Sequence, residues 1–215
     1  MHEKARRVFL KTCTQVALLS ALMQINLHAD EPYHDSRCGE HDAKRFLVTY
    51  ASAYGSTKEM AERIGKSLCE EGNSVDIKWV NHVEDVRDYD MVIVGGAIQY
   101  DTWLEEAQAF VKHHEESLSK IPLAYFFTCL TLASKSSKAQ DQAEGYAQNI
   151  QSLTSLKPLD IQGFAGVLDY SKMSFVFRQV ARAIFAVMGV KEGDYRDWKA
   201  VGLWSQKIQT LVSKS

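Results

Sequence analysis

Between an apolar run, Phe46-Leu47-Val48-Thr49-Tyr50-Ala51, and a helical stretch from Lys58 to Glu71 stands a loop of hydroxyls and one glycine, Ser52-Ala53-Tyr54-Gly55-Ser56-Thr57. This arrangement suits the capture of an anion without any lysine or arginine. Backbone N–H groups from Tyr54 to Thr57 and the positive end of the helix dipole supply the attraction. Ser52, Ser56 and Thr57 add neutral donors, and Gly55 permits a tight turn and close approach of the backbone. The loop has neither the G-x-x-x-x-G-K-[ST] pattern of triphosphate sites nor the G-x-G-x-x-G of dinucleotide sites. Neutral donors of this kind suit a monophosphate better than a metal-chelated triphosphate. A purely local reading also stands: Ser56 caps the helix and Glu59 completes a capping box. The two readings are compatible.

The elements that must position this loop alternate along the chain. Gly72 ends the first helix, and Val75, Ile77 and Trp79 then alternate with polar residues as an edge strand does. Met91-Val92-Ile93-Val94-Gly95-Gly96 is continuously apolar, as in a parallel strand covered on both faces. Trp103, Ala107, Phe110, Val111, His114 and Leu118 predict a helix over 102–119. Leu123 to Leu130 reads as the fourth strand, 139–154 as a helix, Ile161 to Val167 as the fifth strand, and 198–212 as the last helix. Such alternation predicts an α/β fold with a doubly wound, five-stranded parallel sheet of order 2-1-3-4-5, binding its ligand at the carboxyl ends of strands one and three.

Ser52-x-x-Gly55-x-Thr57 after a first strand resembles the phosphate loop of flavodoxins. The resemblance implies FMN as cofactor, with Ser52, Ala53, Tyr54, Gly55, Ser56 and Thr57 around its phosphate. A second loop, Ala97, Ile98, Gln99 and Tyr100, then meets the isoalloxazine ring. Either Tyr100 or Trp103 could stack on that ring, a contact favourable by about 1 kcal/mol beyond area burial. Tyr100 is preferred because Trp103 has a rival use on the helical stripe. The third loop, Thr128, Cys129, Leu130 and Thr131, presents backbone amides to the pyrimidine edge and carries no carboxylate.

Residues 1–29 read as a removable export signal of the twin-arginine type: Arg6-Arg7-Val8-Phe9-Leu10-Lys11, a weakly apolar stretch to Leu27, and a small residue at Ala29. A membrane anchor is the competing reading, disfavoured by the short and polar-interrupted stretch. The expected location is exported and periplasmic, with peripheral membrane contact. Loss of Lys4, Arg6, Arg7, Lys11 and Glu3 moves the formal net charge from −2 to about −5, giving no reason to bind nucleic acid. Residues 30–45 read as a polar linker, and 46–215 as the flavodoxin-like domain. His34, Cys38 and His41 are too few and too loosely spaced for a metal site, so no metal is expected. An odd number of cysteines outside the signal argues against a full disulfide framework. Cys69 and Cys129 are read as buried free thiols.

One helical segment, at about 169–189, exceeds a minimal fold of this type. Met173, Val176, Phe177, Val180, Ile184, Val187 and Met188 form a stripe expected to pack on the sheet. Phe175, Arg178, Arg182 and Phe185 form the opposite face, expected to look outward onto a membrane surface or quinone headgroup. Gly166-x-x-x-Tyr170, Met188-Gly189, Asp197-Trp198 and Gly95-x-x-Ile98-x-Tyr100 resemble the menaquinone-dependent protoporphyrinogen oxidase family, long-chain flavodoxins that bind FMN. The resemblance implies an FMN-dependent oxidoreductase, linked to haem biosynthesis, that passes electrons from a reduced small molecule, protoporphyrinogen-like, to a quinone. No catalytic dyad is expected; His113 and His114 read as surface and core positions. An exported electron carrier docking to partner proteins is the alternative.

Overall fold

The computed structural model describes residues 33–40, 43–99 and 101–214. The twin-arginine segment, His41 and Tyr100 lie outside them. Ser36–Cys38 forms β1 and Arg45–Ala51 β2, from which the hydroxyl loop leads into α1, Ser56–Glu70. Then follow β3 (Ser74–Trp79), β4 (Met91–Gln99), β5 (Thr102–Trp103), α2 (Glu105–His113) and α3 (Glu115–Leu118). β6 (Leu123–Cys129), α4 (Ser137–Gln151), β7 (Ile161–Ala165), β8 (Val167–Leu168), α5 (Phe175–Met188), β9 (Gly193–Asp194) and α6 (Trp198–Val212) complete the chain.

The parallel strands stand in the order β3-β2-β4-β6-β7, which is the expected 2-1-3-4-5. Each apolar run is buried on both faces because helices cover both. Leu47, Val92, Val94, Tyr125 and Phe127 meet α2 and α4 through Ala107, Phe110, Val111, Ala143 and Ile150. Phe46, Val48, Tyr50, Ile93 and Phe126 meet α1 and α6 through Met60, Ile64, Leu68, Trp204 and Ile208. Register sets the carboxyl ends level: Ala51 pairs with Gly96, Ala97 with Thr128, and Cys129 with Ala165.

Three expectations are corrected. β3 is not the edge, because β1 pairs antiparallel beyond it, matching Ser36 to Ile77 and Cys38 to Val75. The stretch expected as a linker therefore contributes a strand. Second, Cys69 is not a free thiol: it forms a disulfide with Cys38, leaving Cys129 as the free, buried cysteine among the described residues. Third, Trp103 does not open a helix. β4 runs on to Gln99 and turns back as β5, so Trp103 pairs with Ile98. Its ring lies 1% exposed, edge-on to Tyr125 at 5.2 Å. A glycine is required opposite it, since a Cβ on Gly96 would come 2.4 Å from the indole nitrogen.

The disulfide closes a loop across a separation of 31 residues, worth about 3–4 kcal/mol through the entropy it removes from the unfolded chain. Reduction is expected to lower the melting temperature by about 5–15 °C, followed by circular dichroism with and without dithiothreitol. Alkylation of the denatured, unreduced chain should label Cys129 and leave Cys38 and Cys69 unlabelled by mass spectrometry. Labelling of all three would remove the crosslink.

Candidate functional site

The first loop is organised from within. Gly55 takes φ +88°, a left-handed conformation that disfavours any side chain, and its N–H donates to the buried Ser52 Oγ at 3.0 Å. Gly55 is also the N-cap of α1, and no side chain caps that helix. The capping box of Ser56 and Glu59 is thus not formed. Glu59 joins α1 by donating its backbone N–H to the Gly55 carbonyl at 3.0 Å, and its carboxylate pairs with Arg196. A half-buried Ser56 and the uncapped first-turn amides remain at the helix's positive end, which is the donor set an anion needs.

Thr57 is fully buried, and its hydroxyl lies 2.7 Å from that of Thr128 at the end of β6. Its side chain therefore links the first loop to the third, and either hydroxyl can be the donor. Cys129 is likewise buried, and burial pushes its thiol pKa up, so its backbone is what can serve a ligand. The Cys129 carbonyl accepts from Gly166 N–H at 3.1 Å, which brings the exit of β7 against the same point. Leu130 is half-buried, and Thr131 Oγ1 lies 3.2 Å from the Tyr146 hydroxyl.

That tyrosine also holds the second loop. It donates to Asp101 Oδ1 at 2.9 Å, and Gln142 of α4 donates to Tyr146 at 2.7 Å. Asp101 has φ +63° at the turn of the β4–β5 hairpin, a conformation aspartate tolerates better than most residues. Ala97, Ile98 and Gln99 are half-buried at this end of β4. Of the two candidates for ring stacking, Trp103 is withdrawn into the core, and Tyr100 lies outside the described residues. Asp101, Gln142 and Tyr146 were not singled out in the sequence because nothing local marks a contact between residues more than forty positions apart.

Helix α5 roofs this end of the sheet. Among the described side chains, Ala181 joins Leu168, Tyr170 and Met173 in a cluster against which the half-buried Phe185, Tyr54 of the first loop and Leu130 of the third also pack. The side chains of Phe177, Ile184, Val187 and Met188, expected to pack on the sheet, lie outside the described set. Of the face expected outward, Phe175 and Arg182 are exposed. Phe175 is 72% exposed and Val176, expected inward, is 68% exposed. Arg182 is exposed and its guanidinium lies 5.3 Å from the Tyr170 ring centroid. Arg178 and Phe185, expected outward, are half-buried, and Arg178 donates to the Met173 carbonyl at 3.1 Å. Lys172 Nζ reaches the Tyr54 carbonyl at 3.4 Å, placing a cation beside the first loop. The β8–β9 pair closes the insertion, and Arg196 locks it to α1, bonding Asp194 at 2.9 and 2.7 Å as well as Glu59.

A parallel 2-1-3-4-5 sheet whose ligand loops gather at its carboxyl ends is the architecture of flavodoxin-like α/β proteins. The chain belongs to the flavodoxin domain family, whose model matches residues 47–195. It is similar to protoporphyrinogen IX dehydrogenase [quinone] of Escherichia coli strain K12, at 28% identity over 175 residues, covering 78% of this chain and 96% of that protein. The protein of the same name from Leishmania major is 32% identical over 174 residues, covering 77% and 74%. Among solved structures, a flavoprotein from Lactobacillus acidophilus NCFM in complex with FMN is 14% identical, with a TM-score of 0.43, over 56% of this chain and 93% of that one.

FMN is the cofactor of the flavodoxin domain, and the residues here fit it. The left-handed Gly55, the uncapped start of α1 and the carboxylate-free Ser52–Thr57 loop make a cradle for a phosphate. Gly55→Val should abolish FMN retention, read as loss of flavin absorbance on purification. Thr128→Val should instead strand the Thr57 hydroxyl in the core. It should cost about 1–3 kcal/mol in urea melts and loosen FMN only in proportion.

Proposed function

We propose that this chain is an FMN-dependent oxidoreductase that takes electrons from a reduced small molecule of the porphyrinogen class and delivers them to a quinone. The names of the similar proteins supply the donor and acceptor classes. The single observation that carries the reading is the apolar cluster of the extra segment, Leu168, Tyr170, Met173 and Ala181 of α5, against which Tyr54 and Leu130 of two ligand loops pack. A carrier that only docks to protein partners has no use for such a cover, whereas an enzyme must admit a small substrate and limit water around it.

Bound FMN would supply the redox chemistry, accepting two electrons from the donor and passing them to the quinone, which leaves as quinol with two protons. The chain's own residues bind and orient. The first-turn amides of α1, Ser56 and Lys172 favour the phosphate, while Thr128 to Thr131 and Ala97 to Gln99 frame the ring edge. No side chain is assigned a proton-transfer role. Phe175 and Val176, with the cations Lys172 and Arg182 nearby, would meet the lipid surface from which a quinone is drawn. Export fits the same reading, since the Cys38–Cys69 bond suits an oxidising compartment.

Purified protein should bleach its flavin absorbance with protoporphyrinogen and recover it with menaquinone or ubiquinone analogues. Reduction with no reoxidation by any quinone, alongside stoichiometric exchange with a redox protein, would establish the carrier instead. Phe175→Ser with Val176→Ser should leave FMN content and melting unchanged. The pair should also lower liposome binding and quinone turnover about tenfold, as loss of two apolar contacts predicts. Unchanged values in both assays would end the role given to this face.

A further inference from the structure

Ahead of the matched family region runs a short segment, Tyr33 to Cys38, that does more than cover an edge. At one end Cys38 is bonded to Cys69 near the C-terminus of α1. At the other end, the Tyr33 ring stacks on Trp79 at 4.2 Å and 11°, and its hydroxyl donates to the Ser52 carbonyl at 2.9 Å. Between them β1 runs antiparallel to β3, so the segment spans the sheet edge from its ligand end to its far end. We propose that Tyr33–Cys38 is a disulfide-pinned strap by which Tyr33 positions the first ligand loop, making the hold on FMN depend on the Cys38–Cys69 bond. The FMN part rests on the function proposed above.

The geometry supplies the reason. In a planar trans peptide the carbonyl and the following N–H point to opposite sides. By fixing the Ser52 carbonyl, Tyr33 fixes the Ala53 N–H on the side away from itself. Ser52 is also the residue whose Oγ accepts the Gly55 N–H, so one phenol steadies both ends of the turn.

The strap's other polar anchors are few. β1 has three residues, the Asp35–His82 pair at 2.9 Å is exposed, and Arg37 reaches Asp76 at 3.3 Å with its own side chain 41% exposed. The covalent bond is the one anchor that a reductant can remove, and it adds its constraint to the stack that Tyr33 makes on Trp79. A dithiol reductant cleaves it by giving up two electrons and two protons, becoming a disulfide itself and leaving Cys38 and Cys69 as thiols. The strap then frays, and the Ser52–Ala53 peptide loses its outer partner.

The test uses the purified full-length chain stripped of flavin, titrated with FMN at 20 °C, with circular dichroism confirming a folded protein in every sample. Tyr33→Phe keeps the ring stack and removes one hydrogen bond, so FMN should bind about fivefold more weakly. Dithiothreitol should weaken wild-type binding to a similar extent, and should add nothing in Tyr33→Phe, because both act through one contact. Tyr33→Phe binding as tightly as wild type would overturn the proposal. So would equal weakening by reduction in both backgrounds. Amide hydrogen exchange on the flavin-free protein gives a readout independent of the cofactor. Exchange at Ala53 and Gly55 should rise on reduction and in Tyr33→Phe, and unchanged exchange would overturn the strap. If exchange rises as expected but wild type binds no FMN, the strap stands and the proposed cofactor falls.

Discussion

The hydrogen bond between Thr57 and Thr128, 2.7 Å long and shut away from water, is the point on which the ligand end of this molecule depends. Thr57 lies in the first turn of α1 and Thr128 near the end of β6, two strands away across the sheet. Each hydroxyl is too buried to find water, so each needs the other; breaking the pair would leave a polar group unpaired at a cost of about 1–3 kcal/mol. The bond fixes the spacing of the first and third loops before any ligand arrives. It works because the register has already made β2, β4 and β6 end at one level. A slip of one residue in any of these parallel pairs would turn inward-facing side chains outward and separate the hydroxyls.

Around that fixed pair the chain adds parts that the sheet alone does not need. The second loop is built as a hairpin whose tip is held by α4, through Tyr146 and Asp101. The same tyrosine touches Thr131, so the second and third loops share one anchor. The extra segment, from Leu168 into α5, then adds a small apolar cluster of its own, set apart from the two that flank the sheet, against which Tyr54 of the first loop and Leu130 of the third pack. Arg196 ties that cover to α1 through Glu59 and Asp194, with its side chain 10% exposed. A bidentate, largely sheltered guanidinium of this kind holds direction as well as distance.

The strands and most helices were legible because burial on both faces writes itself as an uninterrupted apolar run. Met91 to Val94 could hardly be anything but a covered parallel strand. Trp103 was misplaced because a two-residue strand is too short to show a period, and at helical spacing from Ala107 it mimics a helix. Ser36 to Cys38 carries the composition of a solvated linker, since one side of an edge strand does face water; only pairing with β3 distinguishes the two. The disulfide was hidden for a related reason. A cysteine count constrains parity, whereas pairing needs a distance that only the tertiary fold creates. On α5 the amphipathic stripe is visible in the sequence, but which element it meets is not. Among its described side chains, Arg178 and Phe185 are drawn in and Val176 is left out.

The backbone of the first loop shows why these additions converge there. A carbonyl oxygen is partly negative, and an anion beside several unengaged carbonyls would be repelled. Here the Ser52 carbonyl accepts from Tyr33, the Tyr54 carbonyl from Lys172, and the Gly55 carbonyl from Glu59 N–H inside the helix. Those donors come from three different places: the edge strap, the segment before α5, and α1 itself. Two of them lie far from the loop in sequence, so the polarity of this turn is set from outside it. A short loop of serines, threonine and glycine can bend to an anion in many proteins. In this chain the donors that reach in from flanking segments also engage the carbonyls of Ser52 and Tyr54, which lessens their repulsion of an anion.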